Sequence, residues 1–200
     1  MLLPEEFNRN WDVNKNGPLL KFSFDDLIKT PFSEEFKQFL SIGGLPETPP
    51  PYLDFTSSQS SFKPITSIFD ISEAFRKYWL LGSTGSGDPI CIIENNESIV
   101  YLNNGDEYKE VFINSSINQF AECMLLFSEM IDKAIQINGE DAFIDNDIPE
   151  YVIEGFKEKL KRVDSNCIKE GSFWGIEIEN YMNKDENYYL YRLMPVKRPL

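Results

Sequence analysis

Between Tyr78 and Ile113 the chain repeats one short theme, a run of β-branched and aromatic residues followed by a polar turn, and this limits the fold more than any other stretch. Tyr78 to Leu81, Ile90 to Ile93, Ile99 to Leu102 and Tyr108 to Ile113 each have the length and composition of a strand. They follow one another with only short connections, which predicts a β-meander. Gly82, Gly85 and Gly87, followed by Asp88-Pro89, read as the tight connection between the first two strands. Glu94 to Glu97 reads as the next turn. Asn104-Gly105 predicts a type I′ hairpin turn, because that turn needs positive φ at both central positions.

Helices surround this meander in sequence. Ser116 and Gln119 form a capping box, after which Ile117, Phe120, Ala121, Met124, Phe127, Ile131 and Ala134 recur at helical spacing until Asn138-Gly139. Asp147, Pro149 and Glu150 mark a second start, with Asp147 as the cap and Val152, Ile153, Phe156 and Leu160 along one face. Upstream, Ser33 caps a helix that carries Phe36, Phe39 and Leu40 and stops at Gly43-Gly44. The proline-rich stretch from Pro46 leads to a short strand at Tyr52 to Phe55, then a serine loop at Ser57 to Ser61, and Phe62 to Phe69 predicts another strand. Leu19, Phe22 and Phe24 fit an edge strand or an extended arm, and Phe173 to Tyr181 fits either a strand or a final helix. The expected architecture is α+β: a single domain of 200 residues, mostly antiparallel sheet with helices packed against it. Residues 1–20 are expected as an N-terminal arm, 33–179 as the core, and 188–200 as a tail with mobile last residues.

The chain holds 19 Lys and Arg against 33 Asp and Glu, a formal net charge of -14, so phosphate is repelled and neither nucleic acid nor anionic membrane is an expected partner. No segment approaches the ~20 apolar residues of a membrane span, and Met1 to Trp11 lacks a basic region followed by an apolar one, so the expected location is cytoplasmic. Histidine is absent, which removes the usual general base, the usual zinc ligand and every Ser-His or Cys-His arrangement. Cys91, Cys123 and Cys167 are far apart and form no C-x-x-C pair, as expected of buried thiols.

Two motifs invite a cofactor and fail on context. The glycines at 82, 85 and 87 suggest a phosphate loop, yet a strand follows where such loops open a helix. Asp145-Asn146-Asp147 resembles the start of a calcium loop, but Pro149 and Glu150 stand where an oxygen ligand and a glycine belong. No metal and no cofactor is expected. The acids themselves fall into two groups: Asp88, Glu94, Glu97, Asp106, Glu107 and Glu110 on the meander, and a run from Asn138 to Phe156 that includes Glu140, Asp141 and Asp145 with no Lys or Arg. They are either solvated turns or a docking surface whose field speeds association with a basic protein. Carboxylate pairs also permit general acid/base work, which leaves a carboxylate- or metal-dependent enzyme as a rival reading.

Four blocks of residues resemble the SUKH superfamily of immunity proteins, also called Smi/Knr-like. SEEFKQFLSIGGLP at Ser33 to Pro46 resembles its first helix and Gly-Leu-Pro exit, and LGSTGSGDPICI at Leu81 to Ile92 its glycine-rich turn with Asp-Pro leading into a strand. SIVYL at Ser98 to Leu102, with VFINSSINQFAECMLLF at Val111 to Phe127, resembles its strand and Asn-Ser-Ser capped helix. GSFWGIEIE at Gly171 to Glu179 resembles its tryptophan-bearing C-terminal element, which inclines Phe173 to Tyr181 toward helix. Gly82, Gly85, Gly87, Pro89, Asn114, Ser116 and Trp174 are the motif positions. The resemblance implies a SUKH-like fold and a non-enzymatic bacterial protein that binds and neutralises a cognate polymorphic or contact-dependent toxin. Many such toxins are nucleases or nucleic-acid deaminases, which are basic because they hold phosphate. A regulatory or scaffold binding protein of the same fold is the alternative.

Overall fold

The computed structural model describes residues 2–56 and 62–183. Among them, the N-terminal third contains helices α1 (Pro4–Asn10), α2 (Val13–Asn16), α3 (Phe24–Leu27) and α4 (Glu34–Gln38), strand β1 (Leu19–Leu20), and strands β2 (Leu45–Pro46) and β3 (Leu53–Asp54). The middle is the meander: β4 (Tyr78–Thr84), β5 (Pro89–Ile93), β6 (Ile99–Asn103) and β7 (Lys109–Asn114). Helices α5 (Ile117–Asn138), α6 (Glu150–Val163) and α7 (Phe173–Met182) complete it. The expected loop at Ser57 to Ser61 and the tail at 188–200 lie outside the described residues.

β3 to β7 form one antiparallel sheet in sequence order, and β1 pairs with β2 in a second, two-stranded one. Alternation along the strands divides the large sheet's side chains between two cores. Leu81, Ile90, Ile92, Ile99 and Ile113 join the main core with Phe120, Met124 and Phe127 of α5, Phe156 of α6 and Trp174 of α7. Each large apolar side chain buried there contributes roughly 1.5–3 kcal/mol. Tyr78, Leu80, Cys91, Ile93, Val100 and Leu102 form a smaller core on the other face, with Ile65 and the partly buried Ile71, Phe75 and Tyr108. Among the described residues β7 closes the sheet order, paired with β6.

The α+β architecture matches the expectation, and Phe173–Met182 is helical, with Ser172 accepting the Gly175 N–H at its start. Five local readings are corrected. The first residues are no free arm: Phe7 and Trp11, four apart on one helical face, are buried, and Phe7 packs 5.7 Å from the Phe39 ring. Phe62 to Phe69 is not a strand, because Pro64 has no N–H to donate. The contact with β4 shrinks to one bridge, Pro64 with Trp79, before a 3-10 turn over Ile65–Ser67.

The glycine-rich connection is shorter than the sequence suggests, since β4 runs on through Gly82 to Thr84 with a register shift between Leu80 and Gly82. Asn104-Gly105 makes no type I′ turn. The strands close on Asn103 with Lys109, and positive φ falls on Glu107 and Tyr108. Asn104 is held elsewhere, its N–H on Asp88 and its side-chain amide on the Gly87 carbonyl. Finally, Asp147 does not cap α6; Pro149 occupies the cap position and no side chain serves it.

Candidate functional site

The meander's acids divide between its two ends. Register pairs Ser83 with Pro89 and Asn103 with Lys109, which sets the β4–β5 and β6–β7 turns side by side. There Asp88 joins the turns, accepting the Asn104 N–H at 2.8 Å and the Thr84 hydroxyl at 3.1 Å. Asp106 stands 3.5 Å from the Lys109 ammonium in an exposed ion pair, and Glu107 occupies the left-handed turn position. At the opposite end, Glu94 accepts the Trp79 indole N–H at 3.2 Å. Glu97 accepts both the Ser33 N–H at 2.5 Å and its hydroxyl at 2.7 Å, so it braces the start of α4. Glu110, one register step into β7, accepts the Tyr78 hydroxyl at 2.8 Å. Burial first, and then the Glu110 carboxylate, pushes the Tyr78 hydroxyl well above its usual pKa.

Asp88, Glu94 and Glu110 therefore tie the meander together and Glu97 ties it to α4, while Asp106 and Glu107 are exposed. Glu140, Asp141 and Asp145 lie elsewhere, past the C-terminal end of α5, whose 22 residues span about 33 Å. The chain there folds into a compact knuckle: the Asn138 side-chain amide donates to the Asp147 carbonyl at 2.7 Å, and the Asp147 N–H to the Ala142 carbonyl at 2.8 Å. Ile144, 72% exposed, projects from it, and Tyr151, 68% exposed, from the first turn of α6 just after it. The candidate acids thus fall in three places and do not converge on one pocket. Among the described residues, no three His, Cys, Asp or Glu side chains are grouped to hold a metal ion.

Two open grooves of about 390 and 460 Å³ run beside α5 and share Leu2 and Glu122. In the first, Glu129 binds the ammonium of Lys159 at 2.6 Å and that of Lys133 at 2.9 Å. These cations, Lys159 foremost, hold its carboxyl below the usual carboxylate range.

The motif residues are architectural. Gly82 lets β3 approach, since a Cβ there would meet the Asp54 carbonyl oxygen at 2.3 Å; one at Gly85 would meet Tyr52 at 2.9 Å. Gly87 takes a φ of 84° in the turn before Pro89. Ser116 accepts the Gln119 N–H at 3.3 Å and starts α5. Asn114 is fully buried, its side-chain oxygen accepting the Trp174 indole N–H at 2.9 Å and its amide donating to Asp164 at 3.3 Å. Asp164 also accepts the Ser115 N–H at 2.7 Å and the Asn166 N–H at 3.1 Å. This lock joins β7, the end of α6 and the start of α7. The sequence reading missed Asp164, which lies just beyond α6 with no motif to mark it. The Cys123 thiol borders the lock, and burial pushes its pKa well up.

A five-stranded antiparallel sheet, three helices over one face and a buried Asn-Asp-Trp lock define the chain as an α+β domain. The family model for SUKH-4 immunity proteins matches residues 13–180, and the chain belongs to that family. Membership points to toxin-neutralising immunity as the general role, and to a toxin as the partner. No match was found among curated proteins or among solved structures. No described helix is long and apolar enough to cross a membrane.

Proposed function

We propose that this protein protects its producer in the cytoplasm by binding a basic toxin domain, a nuclease or nucleic-acid deaminase, and covering the cleft that holds phosphate. It does so without catalysis. The observation that carries this reading is the net charge of -14 on a member of an immunity family. A phosphate-binding cleft is cationic, and an anionic protein competes for it directly. The field would raise association by about 10 to 10³-fold, and salt would screen it. Asp106 and Glu107, whose carboxylates face outward, contribute to that field without tying the sheet together. Glu94 and Glu97 are poorer probes of charge, because reversing them also breaks contacts to Trp79 and Ser33.

The test is co-expression with the product of the neighbouring reading frame, followed by stopped-flow mixing of the purified pair. Growth should be restored. Association should slow steeply with added salt, and Asp106→Lys with Glu107→Lys should slow it further and flatten the salt dependence. Unrestored growth, or a rate indifferent to salt, would overturn the proposal.

A further inference from the structure

Complementary charge sets how fast partners meet, whereas tight binding usually rests on a few apolar or aromatic anchors that lose water on contact. Most large apolar side chains of this protein lie in its two cores. Among the described residues, the two most exposed large hydrophobics are Ile144 and Tyr151, at 72% and 68%. Ile144 lies in the knuckle between α5 and α6, and Tyr151 in the first turn of α6 that follows it.

The local structure explains why they point outward. Val152, Ile153 and Phe156 turn the apolar face of α6 into the core, which leaves Tyr151 on the opposite side of the first turn. Phe143 packs inward, its ring 5.9 Å from Phe127 and 6.0 Å from Tyr181, and Ile144 follows it on the outside. Bonds from Asn138 to Asp147 and from Asp147 to Ala142 close the segment, so the anchors sit on a braced scaffold and little ordering is required on binding. Ile137, at the end of α5, adds a third exposed apolar side chain.

We infer that this knuckle is the contact surface for the toxin, with Ile144 and Tyr151 entering apolar depressions on a partner whose surrounding surface is basic. Charge complementarity names the occupant. From Asn138 to Phe156 the sequence holds six acids and no Lys or Arg, and although Glu154 pairs with Lys157 at 3.9 Å, the segment that carries both anchors keeps a net negative charge. A second copy of this chain would meet its own charge. The inference rests on the toxin-binding reading above and adds where the partner sits.

The experiment measures dissociation rates by surface plasmon resonance. The immobilised probe is the product of the neighbouring reading frame, co-purified with this protein and then separated from it in denaturant and refolded. Wild type, Ile144→Asp, Tyr151→Ala and the Asp106→Lys/Glu107→Lys pair are compared, with circular dichroism as the control for folding. Each anchor variant should dissociate roughly 30-fold faster or more, while the charge pair changes dissociation less than about 3-fold and acts on association. Tyr151→Phe should retain most of the affinity. If the wild type does not bind the probe, the functional reading fails and takes the surface with it. If the wild type binds and both anchor variants release it at the parent rate, the surface alone is wrong.

Discussion

Asp164 is 4% exposed and accepts hydrogen bonds through both carboxylate oxygens: the Ser115 N–H and the Asn114 amide on one, the Ser115 hydroxyl and the Asn166 N–H on the other. In Asp164→Ala the N–H of Ser115 and the amide of Asn114 lose their acceptor. Asn114 cannot swing away, because its oxygen is held by Trp174. Two stranded donors at roughly 1–3 kcal/mol each give a loss of about 4 kcal/mol, a large fraction of the ~5–15 kcal/mol typical of a folded domain. At about 2–4 °C per kcal/mol for a chain of this size, the melting temperature should fall by roughly 12 °C. Asp164→Asn should recover about half, since an amide accepts on one side only. Urea titration followed by circular dichroism measures both, and a loss below about 1 kcal/mol for Asp164→Ala would refute the lock as a stabilising element.

Gly82→Ala forces a methyl group to within 2.3 Å of the Asp54 carbonyl, so β3 must leave the sheet or β4 must shift. A cost of about 1–3 kcal/mol is expected, together with faster amide hydrogen exchange at Leu53 and Asp54. Glu129→Gln tests the ion network beside α5. Its folded carboxyl titrates below the ordinary value, so its contribution is present at neutral pH and disappears as acid protonates it. With the side chain 44% exposed, the difference from wild type should be under about 1 kcal/mol at pH ~7 in low salt, and absent near pH ~2. A difference that persists in acid or in high salt would assign it to packing instead.

What could be read in the sequence was what short-range chemistry decides. Runs of β-branched and aromatic residues between polar turns marked β4 to β7, and the Ser116 cap with its apolar stripe marked α5, because neighbours a few positions away enforce those patterns. Asn104-Gly105 misled because the Asn104 preference is overridden by a partner 16 positions earlier, Asp88. Residues 4–10 carried Pro4, Glu5 and Glu6 as a helix start, but it is the packing of Phe7 on Phe39 that makes the segment part of the core. The acids were legible as charge, yet nothing local separates Glu97, bound to Ser33 across 64 positions, from Glu107, which faces water. Asp164 was invisible for the same reason, its partners at Asn114 and Ser115 being about fifty positions away.

Among the described residues β7 is the long outer strand of the large sheet, and Lys109 with Glu110 stand exposed where that strand begins. An incoming strand from another molecule would have to strip water from both charges before its first hydrogen bond formed. The same cost falls on a second copy of this chain, so this end of the strand is a poor template for joining two identical sheets.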